Sequence, residues 1–135
     1  MLPEEKKNLS SMRLEHAKQC LKTAKSIIKY EADYKSAANR SYYAIFHAMR
    51  SVLALDGIDN KKHSGIIAEF RKLYIKTGIF EDSLSEIISM LFKIRNDSDY
   101  DDFYLIDKVK VEEQIRNAEH FLSEIEKYLV SKSVI

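Results

Sequence analysis

The sequence predicts an all-α protein, an up-down bundle of four long helices plus one short helix. Three observations lead there. The 135 residues include only three glycines and one proline, so the interiors of regular elements are almost free of breakers. Apolar residues recur at spacings of three and four through separate long stretches, which is the period of a helix with one buried face. The connections between these stretches are short, and short connections favour antiparallel neighbours. A chain of this length builds one core rather than two, so residues 1–135 are expected to form a single domain, with its core over about 10–130 and fraying ends.

The first helix is expected over about residues 5–30, where Leu14, Ala17, Leu21, Ala24 and Ile28 form one stripe. Asp33 suits the N-cap of a second helix running from about Tyr34 to Leu55, and Gly57 suits its C-terminal cap. A shorter helix follows "KKHSG" and carries Ile66, Ile67, Phe70, Leu73 and Tyr74 before Gly78 closes it. Ser83 and Glu86 have the spacing of a capping box for a fourth helix, whose apolar face is Leu84, Ile87, Ile88, Leu91 and Ile94. The fifth has the cleanest period, with Val111, Ile115, Ala118, Leu122, Ile125 and Leu129. The tail "SKSVI" is expected to fray.

Composition excludes several classes of function. Twenty-two basic and 21 acidic residues leave a formal charge of +1, so no global field draws in nucleic acid or an anionic membrane, and any such binding must be local. No apolar run approaches the roughly 20 residues that span a bilayer. Cys20 is the only cysteine, which rules out an internal disulfide and fits a reducing, cytoplasmic setting. No cysteine cluster, His-Glu-x-x-His pair or glycine-rich phosphate loop is present, so no metal and no cofactor are expected.

The second helix carries two unlike stripes. Ala38, Tyr42, Ile45, Met49 and Val52 form a core face, whereas Arg40, Tyr43, His47 and Arg50 share nearly the opposite side with Ala37, Ala44 and Ala48 beside them. Small residues permit close helix approach, and tyrosine and arginine anchor interfaces, so this second stripe is a candidate binding or dimer face. His63 begins the short helix and is either a capping-region residue or a member of the same face. Lys61 and Lys62 beside it are a solvated loop or a phosphate contact. His16 and His120 lie on mixed faces and receive no role.

The fourth helix ends in "KIRNDSDYDDF", and projection puts Arg95 on its apolar side with Leu84, Ile88 and Leu91. A guanidinium there needs a carboxylate, backbone carbonyls or an anionic ligand. Asp97, Asp99 and Asp101 occupy positions 1, 3 and 5 of a calcium-loop pattern, but Asp102 stands where the turn needs glycine and Lys108 where a bidentate glutamate belongs. The calcium reading fails.

The combination of "SAANRSYYAIFHAMRSVLALDG", "KKHSG" and "RNDSDYDDF" resembles the HEPN family of small helical bundles. That resemblance implies a homodimer, metal-independent ribonuclease chemistry from an arginine followed after four to six residues by a histidine, and a minimal nucleotidyltransferase as partner in a toxin-antitoxin pair. Arg95 and Asn96 match the start of the motif. The positions where the histidine belongs hold Tyr100, Asp101 and Asp102. The first expectation is therefore an RNA- or nucleotide-associated binding module in such a pair. The alternative is an active ribonuclease toxin in which Arg95 holds phosphate while His47, His63 or Asp99 moves protons, with Asn96 and Tyr100 beside them. A second alternative is a helical scaffold that docks a protein through Tyr43 and Arg50.

Overall fold

The computed structural model describes all residues 1–135 and contains helices and turns only. In chain order these are α1 (Pro3–Tyr30), α2 (Tyr34–Leu55), α3 (His63–Phe70), which continues into a π-helical turn (Arg71–Ile75), α4 (Asp82–Tyr100) and α5 (Lys108–Ser131). The four long helices and one short helix expected from periodicity are all present. No helix is long and apolar enough to cross a membrane.

The central element is α2, which packs against α1, α3, α4 and α5. Fourteen of its 22 residues are buried, more than one amphipathic stripe can supply, so His47 and the alanines beside the second stripe also face protein, while Arg40, Tyr43 and Arg50 stay half-buried at its edge. Ile45, Met49, Val52 and Leu53 meet the common core, together with Leu14 of α1, Phe70 of α3, Leu91 of α4 and Phe121 and Ile125 of α5. Ala37, Ala44 and Ala48 have no exposed surface. Their closeness is spent inside the bundle, and they are not available for a second copy to approach.

Local rules explain the ends. Asp33 caps α2 by accepting from the Ser36 amide at 3.2 Å and the Ser36 hydroxyl at 2.6 Å. Gly57 follows α2 at φ +70, and the Ile58 amide reaches back to the Leu53 carbonyl at 3.1 Å, so the glycine takes the left-handed position that stops the helix.

Three expectations are corrected. The Ser83–Glu86 capping box does not form: α4 starts at Asp82 behind Glu81, with no side-chain cap. Phe80 is buried and its amide bonds to the Tyr74 carbonyl at 2.8 Å, which anchors the chain early and starts the helix at Asp82, one residue ahead of Ser83. The short helix does not run evenly to Gly78, because Arg71–Ile75 widens into a π turn. Its Arg71 guanidinium donates to the Ser85 hydroxyl at 3.0 Å, the Ser85 carbonyl at 3.1 Å and the Ser89 hydroxyl at 2.7 Å, tying that turn to α4. The tail is not loose either: the Val134 amide bonds to the Leu129 carbonyl at 3.0 Å, and Val134 packs on the core.

Candidate functional site

Three elements build one polar-aromatic face: the first half of α2, the start of α3 and the last turns of α4. The helical repeat puts Arg95 one turn beyond Leu91, so its stem leaves the core while its head reaches the edge. The guanidinium lies over the rings of Tyr42 and Tyr43, at 5.5 and 5.7 Å from their centroids. Nη2 donates to the Tyr43 hydroxyl at 3.3 Å and Nη1 to Asn96 Oδ1 at 3.4 Å. Nε is 3.0 Å from Asp99 Oδ2, yet its N–H does not point along that line, so the contact is an ion pair and Nε has no hydrogen-bond acceptor. The arginine that the sequence put on the apolar side therefore has its carboxylate one helical turn away.

His63 completes the face. Its ring stacks on Phe46 at 4.1 Å, meets Tyr43 edge-on at 5.6 Å, and places Nδ1 3.1 Å from the Tyr42 hydroxyl. That contact leaves Nε2 as the ring nitrogen free for another partner. Burial and then the charges of Arg95 and Arg50 hold the imidazole below its ordinary pKa of 6.5. Tyr42 is pushed up to about 12 by burial, against the opposing charge of Arg95, and so keeps its proton at neutral pH. Sequence reasoning assigned Tyr42 to the core alone. It is fully buried, but its hydroxyl meets His63 Nδ1 and its ring lies under Arg95, so it joins the two as Tyr43 also does.

Around this pair the surface is cationic and polar. Arg40 also lies over the Tyr43 ring, at 5.0 Å, and is steered by Asn39 Oδ1 at 2.9 and 3.3 Å. Asn39 also donates to Asp99 at 3.5 Å. A cleft of about 380 Å³ opens beside Arg95, lined by Ile27, Lys35, Ser36, Asn39, Arg40, Ser98 and Asp99. The Ser98 hydroxyl is buried there without a partner. Arg50 lies 6.0 Å over Phe46 and pairs with Asp59 at 3.4 Å, as Arg13 does from α1 at the same distance.

The remaining candidates separate from this face or serve another purpose. His47 is buried on the α1 side, stacked on His16 with centroids 3.9 Å apart. Burial, His16 and the guanidiniums of Arg50, Arg40 and Arg13 push its pKa down to about 4, and Arg95 is not among its charged neighbours. Tyr100, Asp101 and Asp102, the three positions of the missing histidine, are exposed at the end of α4. Asp99 is engaged by Arg95 and Asn39 and is no free base. Asp97 pairs with Lys93 at 2.8 Å within α4, a second reason why the spaced aspartates form no calcium loop. Lys61 and Lys62 are exposed beside His63.

The structure defines a small all-helical protein that presents an arginine in an aromatic cradle with an imidazole on the same face. Its family follows from comparison with known proteins. The HEPN domain profile matches residues 10–128. A UPF0332 protein of Thermotoga maritima is 34% identical over 125 residues, covering 93% of this chain and 94% of its own. Two Methanocaldococcus jannaschii proteins named "Putative toxin" are 32% identical over 122 residues and 33% over 119, covering 90% and 86% of this chain and 82% and 85% of their own. The chain belongs to the HEPN family.

Proposed function

We propose that this HEPN protein is a toxin-type ribonuclease in which Arg95 holds the scissile phosphate and His63 takes the place of the missing motif histidine. One observation carries the reading: Arg95 and His63, 32 residues apart in sequence, share Tyr42 as a common neighbour on one face. In the reaction His63 Nε2 accepts the proton of a ribose 2′-hydroxyl, the 2′-oxygen bonds to phosphorus, and the bond from phosphorus to the 5′-oxygen breaks. The leaving 5′-oxygen takes a proton from solvent, giving a 2′,3′-cyclic phosphate and a 5′-hydroxyl end. The Arg95 guanidinium stabilises charge on the phosphorane oxygens, and the lowered His63 pKa keeps the base unprotonated at pH 7. No step needs a metal. Lys35, Arg40 and the unpartnered Ser98 hydroxyl suit the neighbouring nucleotide in the adjoining cleft.

The test is RNA cleavage in the presence of a chelator, with Arg95→Ala and His63→Ala as variants. Loss of cleavage in both supports the reading, and unchanged cleavage in His63→Ala removes His63 from the mechanism.

A second reading, an RNA-binding module that does not cut, is favoured by the Asp99 carboxylate lying 3.0 Å from Arg95 Nε. It expects Arg95-dependent RNA retention on a filter with no product even at high protein concentration. Two partners fit either reading. Arg40, Tyr43 and Arg50 form the half-buried rim that a second copy would meet in a homodimer. The exposed Tyr100, Phe103, Leu105 and Val109 suit a nucleotidyltransferase partner in a toxin-antitoxin pair. Phe103→Ser with Leu105→Ser should then abolish co-purification of that partner and leave the RNA activity intact.

A further inference from the structure

We propose that His16, Cys20 and His47 form a binding site for a soft monovalent metal ion, copper(I), at the seam between α1 and α2. The three side chains offer two imidazole nitrogens and one sulfur whose ligand atoms all lie within 4.8 Å of one another. His16 and Cys20 are four apart on α1 and so share a face, and α2 presents His47 to that face.

Their surroundings are those of a ligand set. His47 is nine-tenths buried and its Nδ1 has no hydrogen-bond partner, a vacancy that folding tolerates poorly without compensation. Cys20 is buried and free. His16 is exposed and can turn, which gives an ion a way in. Closing around a metal, with nitrogen and sulfur bonds of about 2.0 and 2.3 Å in a trigonal plane, brings the ligand atoms to about 3.5–3.7 Å from one another. The stacked rings must slip apart for their lone pairs to converge, and the exposed His16 is the ring free to move.

Charge selects the ion. The guanidiniums of Arg13, Arg40 and Arg50 lie near this ligand set. The same guanidiniums oppose a divalent cation, since one thiolate would leave zinc(II) with an uncompensated positive charge among three others. Binding releases the Cys20 thiol proton to solvent as the sulfur–copper bond forms, so copper(I) with the thiolate is neutral, and sulfur with imidazole is a donor set soft ions accept. The site faces α1, away from Arg95, and the inference does not depend on the ribonuclease reading.

The experiment is anaerobic competition of the full chain against a chromophoric copper(I) chelate, under a reductant free of thiols. The parent should withdraw one equivalent of copper(I) per chain. Cys20→Ser and His16→Ala should each weaken binding by at least about tenfold, with circular dichroism checking that the exposed His16 variant keeps its fold. Failure of the parent to withdraw copper, or full retention by Cys20→Ser, overturns the site. Zinc(II) displacing copper(I) at equal concentration overturns the charge argument.

Discussion

Arg95 sits between two demands. Its pairing with Asp99 and its place over Tyr42 and Tyr43 hold the guanidinium in one position, but the carboxylate also competes with any phosphate. Asp99→Asn removes that competitor while keeping a side chain of the same shape, so RNA affinity should rise several-fold in a filter-binding titration at low salt, and the gain should shrink as salt is added. A loss of affinity would mean that Asp99 orders the site more than it blocks it. His63 gives a prediction in pH. Its folded pKa lies below 6.5, so the basic form is already dominant at neutrality and is lost only as pH falls below that value. The rate under kcat/KM conditions should therefore climb from acid pH to a plateau with a midpoint below 6.5. Arg50→Met removes one of the charges that lower this pKa and should move the midpoint upward.

At the scale of elements the two unlike stripes of α2 were legible as apolar and mixed, but not the fact that His47 and the alanines of the mixed side would be buried against the rest of the chain. Alanine and tyrosine fit an interface between copies as well as one within a chain, and residue type does not say which. Burial of α2 on several sides makes it the most sensitive helix: Ile45→Ala should cost between about 2 and 5 kcal/mol in urea unfolding, since Ile45 is fully buried. Gly78 tests the backbone alone. Its φ is +83 and an added Cβ would meet nothing within 4 Å, so Gly78→Ala should destabilise by roughly 1 kcal/mol through strain without any clash. The helices themselves were readable because period and capping act locally. The start of α4 was not, since it follows Phe80, whose amide bonds back to the Tyr74 carbonyl and whose side chain is buried in the common core, and not a capping side chain. The π turn itself leaves no mark in residue spacing.

For the whole molecule, the all-helical fold was legible from periodicity and the scarcity of glycine and proline, and the family resemblance from "NRSYYAIFH", "KKHSG" and "RNDSDYDDF", with which the profile match over residues 10–128 agrees. The geometry of the site was only half legible. Projection put Arg95 on the apolar side of its helix, and helical periodicity suffices for that. Choosing between His47 and His63 required knowing how α2 and α3 rotate about each other, because both histidine rings approach Phe46, at 5.6 and 4.1 Å. The fold sends His47 to α1 and His63 to Tyr42. An arginine-histidine pair assembled from separate helices can thus occupy the face where the sequence motif has lost its histidine.

The most direct test of this pairing is end-group analysis of RNA incubated with the purified protein in the presence of a chelator. The account predicts 2′,3′-cyclic phosphate ends from the parent and none above background from either Arg95→Ala or His63→Ala, while His47→Gln, provided it folds, cleaves as the parent does. Cleavage by His63→Ala at the parent's rate, or no cleavage by the parent at all, would contradict it.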